Sequence, residues 1–321
     1  MLNFTLRRLV GMLPLLFLIS IVVFSLAKLM PGDALTGMID PTNTKPEYVA
    51  EMRELLGYND SIISQYWNWL KGAFQGDFGQ SFIHKMPVIE LLGQRLGNTL
   101  LLAVTSLLVT YILSYMMGLF SGKRPGTLAD DAIIGFNYFA YAIPTFVLSI
   151  VALYVFAIKL DWVPISGTIS VGVEEGTLDF YMSKLYHTIL PAIVLGGFST
   201  AAYTQFLRND IIESSRKDYV RTAMAKGTPE SRIYNRHILR NSMIPMVTFI
   251  GLDLGGLLGG AIIVETIFTY PGVGSLFIAS VFNRDYSVVM TISLLLSVTT
   301  LIGNLVSDLL YGLVDPRIRI R

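Results

Sequence analysis

Apolar residues in this chain come in long runs, and the polar stretches between them differ in charge, with 31–99 and 159–187 acidic and 208–245 basic. The runs over residues 9–30, 100–121, 132–158, 188–207, 246–267 and 286–313 each reach the ~20 residues that a helix needs to cross a bilayer. The pattern predicts an all-α integral membrane protein with about six transmembrane helices. Residues 1–30 would hold an N-terminal segment and the first helix, 31–99 an insert, and 100–313 a core of five helices carrying a polar loop at 209–245. Residues 314–321 form a tail. The first run exceeds the ~7–15 apolar residues of a secretion signal and ends in Lys28-Leu29-Met30-Pro31-Gly32-Asp33, so it reads as a retained helix. Pro144 falls inside the third run, where a kink is expected.

Composition supports the class: 53% of residues are hydrophobic and only 15% charged, against ~25% charged in soluble domains. The net charge of +1 conceals the asymmetry. Lys and Arg gather at Arg7-Arg8, at Lys123-Arg124, in the 209–245 loop and in the tail. Excess Lys and Arg beside spans marks the cytosolic side, so both termini are expected inside and the 31–99 insert outside. Within the insert, Thr44, Pro46 and Glu47 open a helix running to Leu56-Gly57, and residues 87–95 read as a short amphipathic helix. Tyr66, Trp67, Trp69 and Phe74 fit either a segment lying on the outer membrane surface or the core of a small cap. No cysteine is present, which excludes disulfides, thiolate zinc sites and cysteine catalysis.

The 209–245 loop is the most informative stretch. Arg216, Lys217, Arg221, Lys226, Arg232, Arg236 and Arg240 make it basic. A helix from Asp218-Tyr219-Val220 through Ala223 and Lys226 should end at Gly227, with Thr228 as N-cap and Pro229 as first residue of a second helix that includes Glu230. The plain alternative is a solvated basic loop that only sets topology. In the fifth run, Gly251, Gly255 and Gly259 recur every four residues, spacing that lets helix backbones approach. Asp253 among them is the acidic residue deepest in a span: either it lines a polar path, or it bonds a neighbouring helix. Residues 268–285 form an outer loop dipping towards the pathway mouth, with turns at Tyr270-Pro271-Gly272 and at Gly274. No phosphate-binding G-x-x-x-x-G-K-[ST] loop occurs, so ATP is not expected on this chain. His84, His187 and His237 lack metal-ligand spacing, no nucleophile elbow appears, and a basic loop between two spans does not point to nucleic acid.

Asp218-Tyr219-Val220-Arg221-Thr222-Ala223, Ala225-Lys226-Gly227, Arg236-His237 and Leu239-Arg240-Asn241 resemble the cytoplasmic loop of ABC importer permeases, most closely the peptide branch. Ala223, Gly227 and Leu239 keep the general family spacing, whereas Arg221, Thr222, His237 and Arg240 follow the peptide variant. Glu265-Thr266-Ile267-Phe268, Tyr270-Pro271-Gly272-Val273-Gly274, Arg284-Asp285-Tyr286 and the ending Asp315-Pro316-Arg317-Ile318-Arg319 extend the likeness over nearly the whole chain. The resemblance implies the type I permease fold in a bacterial plasma membrane. It implies one of two homologous permease subunits in a heterodimer, two cytosolic ATPases that hold ATP and Mg, and an extracellular peptide receptor. The loop turn would then insert into an ATPase groove, with Arg236 and Arg240 anchoring it to acidic groups or lipid phosphates and Ala223 against the partner. Related importers of nickel chelates, glutathione or oligosaccharides leave the solute open. An intramembrane enzyme or receptor is the other class, and it would need an acidic partner for Asp253.

Overall fold

A computed structural model describes residues 2–29, 46–55, 57 and 59–314. The Pro31-Gly32-Asp33 motif, Thr44, Leu56 and the Asp315–Arg321 tail lie outside the described residues. Helix α1 runs Leu2–Leu29, straight through Pro14. Helices α2 (Pro46–Leu55) and α3 (Ile62–Phe74) follow, the latter capped by the Ser61 hydroxyl, which accepts from Ser64 N. A two-residue hairpin pairs β1 (Gln80–Ser81) with β2 (Met86–Pro87). Then come α4 (Val88–Lys123), α5 (Leu128–Ala142) and α6 (Thr145–Ala152), which continues as π-helical turns over Leu153–Lys159. Helix α7 (Leu178–Ser215) leads to α8 (Asp218–Ala225), α9 (Glu230–Arg232), π-helical turns over Ile233–Leu239 and α10 (Arg240–Ser242). Helices α11 (Ile244–Gly260), α12 (Ile262–Ile267), α13 (Val273–Phe282) and α14 (Tyr286–Val314) complete the chain.

Among the described residues, α1, α4, α7 and α14 are long and apolar enough to cross a membrane, and the bent pair α5–α6 makes a fifth span if counted as one. The expected run 246–267 is divided instead: α11 has 17 residues and breaks from α12 at Ala261. The third run does not merely kink. It turns by 100° at Pro144, because a residue before proline is driven out of the helical region and Ile143 is extended at φ −85°, ψ 123°. Residues 87–95 and the second run are not separate helices either: α4 is continuous for 36 residues.

Two close helix pairs form the frame. Helices α4 and α7 meet where Gly196 faces the Ser106 carbonyl and Gly118 faces Leu207. Helix α11 lies against α14, and α1 packs on the outside of α14. The insert helix α3 lies on α1, with Tyr66 edge-on to Phe17 and Phe24 and its hydroxyl 2.8 Å from Ser20 Oγ. No residue of α3 is fully buried, so its aromatics cover a helix rather than form the core of a cap.

The basic segments converge at one end. Arg8 pairs with Asp308 at 3.0 Å, joining the start of α1 to the end of α14. Ser307 Oγ donates to the Thr248 carbonyl at 3.0 Å, bringing the start of α11 to the same level. The Lys123 ammonium sits 4.2 Å over the Tyr234 ring, adding the end of α4.

Candidate functional site: the basic loop and its ties through the helix bundle

Helix α8 has one apolar edge. Val220 and Ala223 are buried against Leu207 and Ile211 of α7, Ile233, Ile238 and Met246. The opposite edge is exposed and carries Asp218, Tyr219, Arg221 and Met224. The helix stops as its sequence dictates. Gly227 takes φ +71°, its N–H reaches the Met224 carbonyl at 2.9 Å, and Thr228 N–H reaches the Ala223 carbonyl at 3.2 Å. These are the two bonds of a left-handed glycine stop, a backbone conformation that a Cβ resists. Lys226, Gly227, Pro229, Glu230, Arg236 and Arg240 are all exposed, and Thr228 is half-buried.

Two expectations about this loop need correction. Thr228 is not the N-cap. Pro229 is, at ψ 139°, because its own carbonyl accepts the first helical N–H groups, from Arg232 at 2.9 Å and Ile233 at 3.0 Å. Ala223 is not on the partner-facing side. It is 8% exposed and packs inside the chain's own core, so the free surface is that of Tyr219 and Met224. Lys217, at the entry to α8, lies 3.0 Å from Glu213, and that carboxylate raises its pKa.

Above the loop, three acidic side chains tie helices together. Asp130 is fully buried. Arg208 grips it through Nε and Nη2, each at 2.7 Å, while Ser121 Oγ and Gly126 N–H (2.8 Å) also donate to it. This knot joins the end of α4, the start of α5 and α7. Asp253 accepts from Tyr111 on α4 at 2.5 Å and from Tyr203 on α7 at 2.6 Å. The hydrogen-bonding alternative for Asp253 is therefore what the geometry displays, and all three side chains stay half-accessible. Glu265 is fully buried. It accepts from Thr99 Oγ1 at 2.6 Å and from Ser275 N–H at 2.9 Å, at the start of α13.

The glycine stripe divides. A Cβ on Gly251 would overlap the Ser307 backbone, and one on Gly255 would stand 3.0 Å from the Thr300 carbonyl. Gly259 meets nothing within 4 Å in this chain, so it takes no part in the α11–α14 contact, which runs along Gly251 and Gly255.

At the far end, Tyr270 is fully buried with its hydroxyl 3.0 Å from Thr188 Oγ1, and Asn98 Nδ2 donates to the Pro271 carbonyl at 2.9 Å. Gly272 has ordinary backbone angles and is required by space, since a Cβ would overlap the Glu265 carboxylate. Gly274 is not a second turn. It is inside α13, where a Cβ would be 2.6 Å from Ile262 Cα. Arg284 at φ +60° ends α13, and the buried Asp285 accepts from Ser81 Oγ at 2.5 Å, clamping the hairpin.

The structure thus gathers Glu265, Tyr270, Pro271, Gly272 and Gly274 into one cluster and the 218–240 residues into another, with Asp253 between them. Sequence reasoning missed the Asp130–Arg208 pair. Its signal was available: Arg208 is the only cation between Lys184 and Arg216, and an isolated arginine in an apolar helix needs a carboxylate.

Comparison with known proteins is consistent along the chain. Residues 114–320 match the family described as binding-protein-dependent transport system inner membrane component, and residues 1–103 match its N-terminal companion. The oligopeptide transport system permease protein AppB of Bacillus subtilis is 38% identical over 316 residues, 98% of each chain. A probable peptide ABC transporter permease protein, y4tP of Sinorhizobium fredii, is 34% identical over 98% of this chain and 99% of its own. The glutathione transport system permease protein GsiC of Escherichia coli is 34% identical over 99% of both. Covered end to end by these matches, the chain belongs to the family of inner membrane components of binding-protein-dependent transport systems.

Proposed function

We propose that this chain is one of two homologous permease subunits of a receptor-dependent, ATP-driven peptide importer. It lines half of the translocation pathway. Its basic end faces the cytosol, as the excess of Lys and Arg requires, and both termini lie on that side. Residues 31–99 and the Tyr270 cluster face outward, towards the receptor.

The observation that carries this reading is the construction of α8. One edge packs on the Ile233–Leu239 turns, in an apolar cluster that Val220 and Ala223 share with residues of α7 and α11, and the other presents Tyr219, Arg221 and Met224 to whatever docks there. A loop that served only as a topological signal would need neither a packed back nor a fixed stop at Gly227. On this reading α8 and the Gly227-Thr228-Pro229 turn seat on a cytosolic ATPase subunit, which holds ATP and Mg. Arg236 and Arg240 are exposed on the following turns and meet acidic groups or lipid phosphates there. Relatives named for oligopeptides and for glutathione, itself a short peptide, support peptide cargo over other solutes.

The test is Gly227→Val in the assembled transporter. Membrane insertion should persist, while ATPase co-purification weakens or ATP hydrolysis runs without peptide uptake. Wild-type levels of both in that variant would reduce the loop to a topological signal. A wild-type complex that hydrolyses ATP with its receptor present and takes up no peptide would overturn the peptide assignment.

A further inference from the structure

Asp253 differs from Asp130 and Glu265 in its partners. Asp130 has a guanidinium, and Glu265 has backbone amides at a helix start. Among the described residues, Asp253 has two phenolic hydroxyls and no cation as partners. Hydroxyl donors orient a carboxylate without cancelling its charge. The two oxygens are held on the edge of an aromatic column, in which Tyr111 stacks on Tyr203 at 5.6 Å and Tyr203 on Phe249 at 5.2 Å. The column fixes both hydroxyls, so the carboxylate cannot swing away to find another partner.

The depth of this group matters. Asp253 is nine residues from Ile244 at the start of α11, or ~14 Å along the axis. Tyr111 and Tyr203 each lie twelve residues before the basic-end terminus of their helices, or ~18 Å. Tyr203 lies four residues before Leu207, where the apolar run of α7 ends, so all three stand inside the membrane, in the half nearer the basic end. An ionisable group there faces protein or a wet cavity rather than lipid, and all three side chains remain half-accessible.

We propose that Asp253, with Tyr111 and Tyr203, is an intramembrane station for the primary ammonium of the cargo, whether an α-amino group or a lysine side chain. The inference rests on the peptide-import reading and adds its chemistry. An ammonium supplies three N–H donors and the missing charge.

The test uses the complete transporter in proteoliposomes with its receptor. Uptake is compared for peptide pairs that differ in one charge: Lys against norleucine at one position, and free against acetylated N-terminus. Asp253→Asn should lower the cationic-to-neutral uptake ratio by about tenfold, the scale of one lost charge-assisted contact, while Asp253→Glu keeps it. Should Asp253→Asn fail to assemble, the Tyr111→Phe/Tyr203→Phe double variant, which leaves the carboxylate unsupported, should show the same loss of ratio. An unchanged ratio in whichever variant assembles, or equal loss for both members of each pair, makes Asp253 a structural tie and overturns the proposal. Loss of assembly with the second permease in both variants would assign the charge to a partner's cation and also overturn it. A wild-type complex importing no peptide overturns the functional reading itself, and this one with it.

Discussion

Replacing Asp130 by Asn tests how much of the basic end depends on one buried ion pair. The native carboxylate accepts from Arg208 Nε, Arg208 Nη2, Ser121 Oγ and Gly126 N–H, and none of it is exposed. The asparagine amide turns one acceptor into a donor. Whichever way it is oriented, one guanidinium N–H and one neighbouring donor then face an N–H₂ group. Arg208 cannot shed its proton to escape. Charge-assisted hydrogen bonds are worth ~1.5–3 kcal/mol each, and breaking a buried pair from one side costs ~3–5 kcal/mol. The expectation for Asp130→Asn is therefore a loss of ~3–5 kcal/mol, with a similar loss for Arg208→Gln. The double variant removes both charges together and should recover ~2 kcal/mol relative to the sum of the two, within the usual range for contacting residues. Denaturant titration of the purified chain in one fixed detergent measures all four corners of this cycle. Single losses below ~1 kcal/mol, or a double loss equal to the sum, would show that the pair behaves like an exposed one and would refute the reasoning.

Other expectations follow from packing. Gly251→Leu should separate α11 from α14, at a cost of at least ~1–3 kcal/mol for forcing side-chain atoms into a packed contact. Gly259→Leu, with open space around it, should leave the heat stability of the purified chain unchanged; equal damage from both would contradict the register of that pair. Gly274→Ala places a methyl 2.6 Å from Ile262 Cα, so it should loosen the Tyr270 cluster and speed proteolysis of the 268–285 segment; unchanged cleavage would count against that packing. Glu265→Gln leaves the Ser275 N–H and Thr99 hydroxyl competing for one carbonyl oxygen, and should destabilise by ~1–3 kcal/mol in the same titration.

What could be read from the sequence was what is local. The apolar runs marked the helices because span length is a property of consecutive residues. The stop at Gly227 was legible because glycine after a basic residue at a helix end has a single common use. The ends of the spans were not legible: α7 continues eight residues beyond the apolar run that ends at Leu207, and that shortfall pushed Arg208 out of the membrane and hid its need for Asp130. The remaining ties are distant in sequence, with Asp253 reaching Tyr111 across 142 residues, Glu265 reaching Thr99 across 166 and Asp285 reaching Ser81 across 204. Each uses a common Tyr, Thr or Ser as partner, and nothing in the neighbouring residues distinguishes that one from its many equivalents. Pro144 misled for a different reason. Its effect depends on Ile143 accepting an extended conformation, and tertiary space, not the dipeptide, permits a 100° break.

Helix α7 gives these separate ties a common meaning. Along its 38 residues, Thr188 meets the Tyr270 hydroxyl, Tyr203 holds Asp253 of α11, and Arg208 grips Asp130 of α5. Its last turns, at Leu207 and Ile211, are the floor on which Val220 and Ala223 of α8 rest. A push on the exposed edge of α8 is passed on through the apolar cluster that its back shares with Leu207 and Ile211 of α7. An α-helix is stiff along its axis, and α7 carries Pro191 only near its far end. The displacement therefore reaches the Asp253 level by one element, and Pro191 stands between that level and the Thr188 contact with the Tyr270 cluster. The α5–α6 pair, bent at Pro144, cannot serve as such a rod, and it is joined to α7 at the basic end through Asp130. On the proposed reading, an ATPase docked at α8 would thus act on the Asp253 level through a single helix.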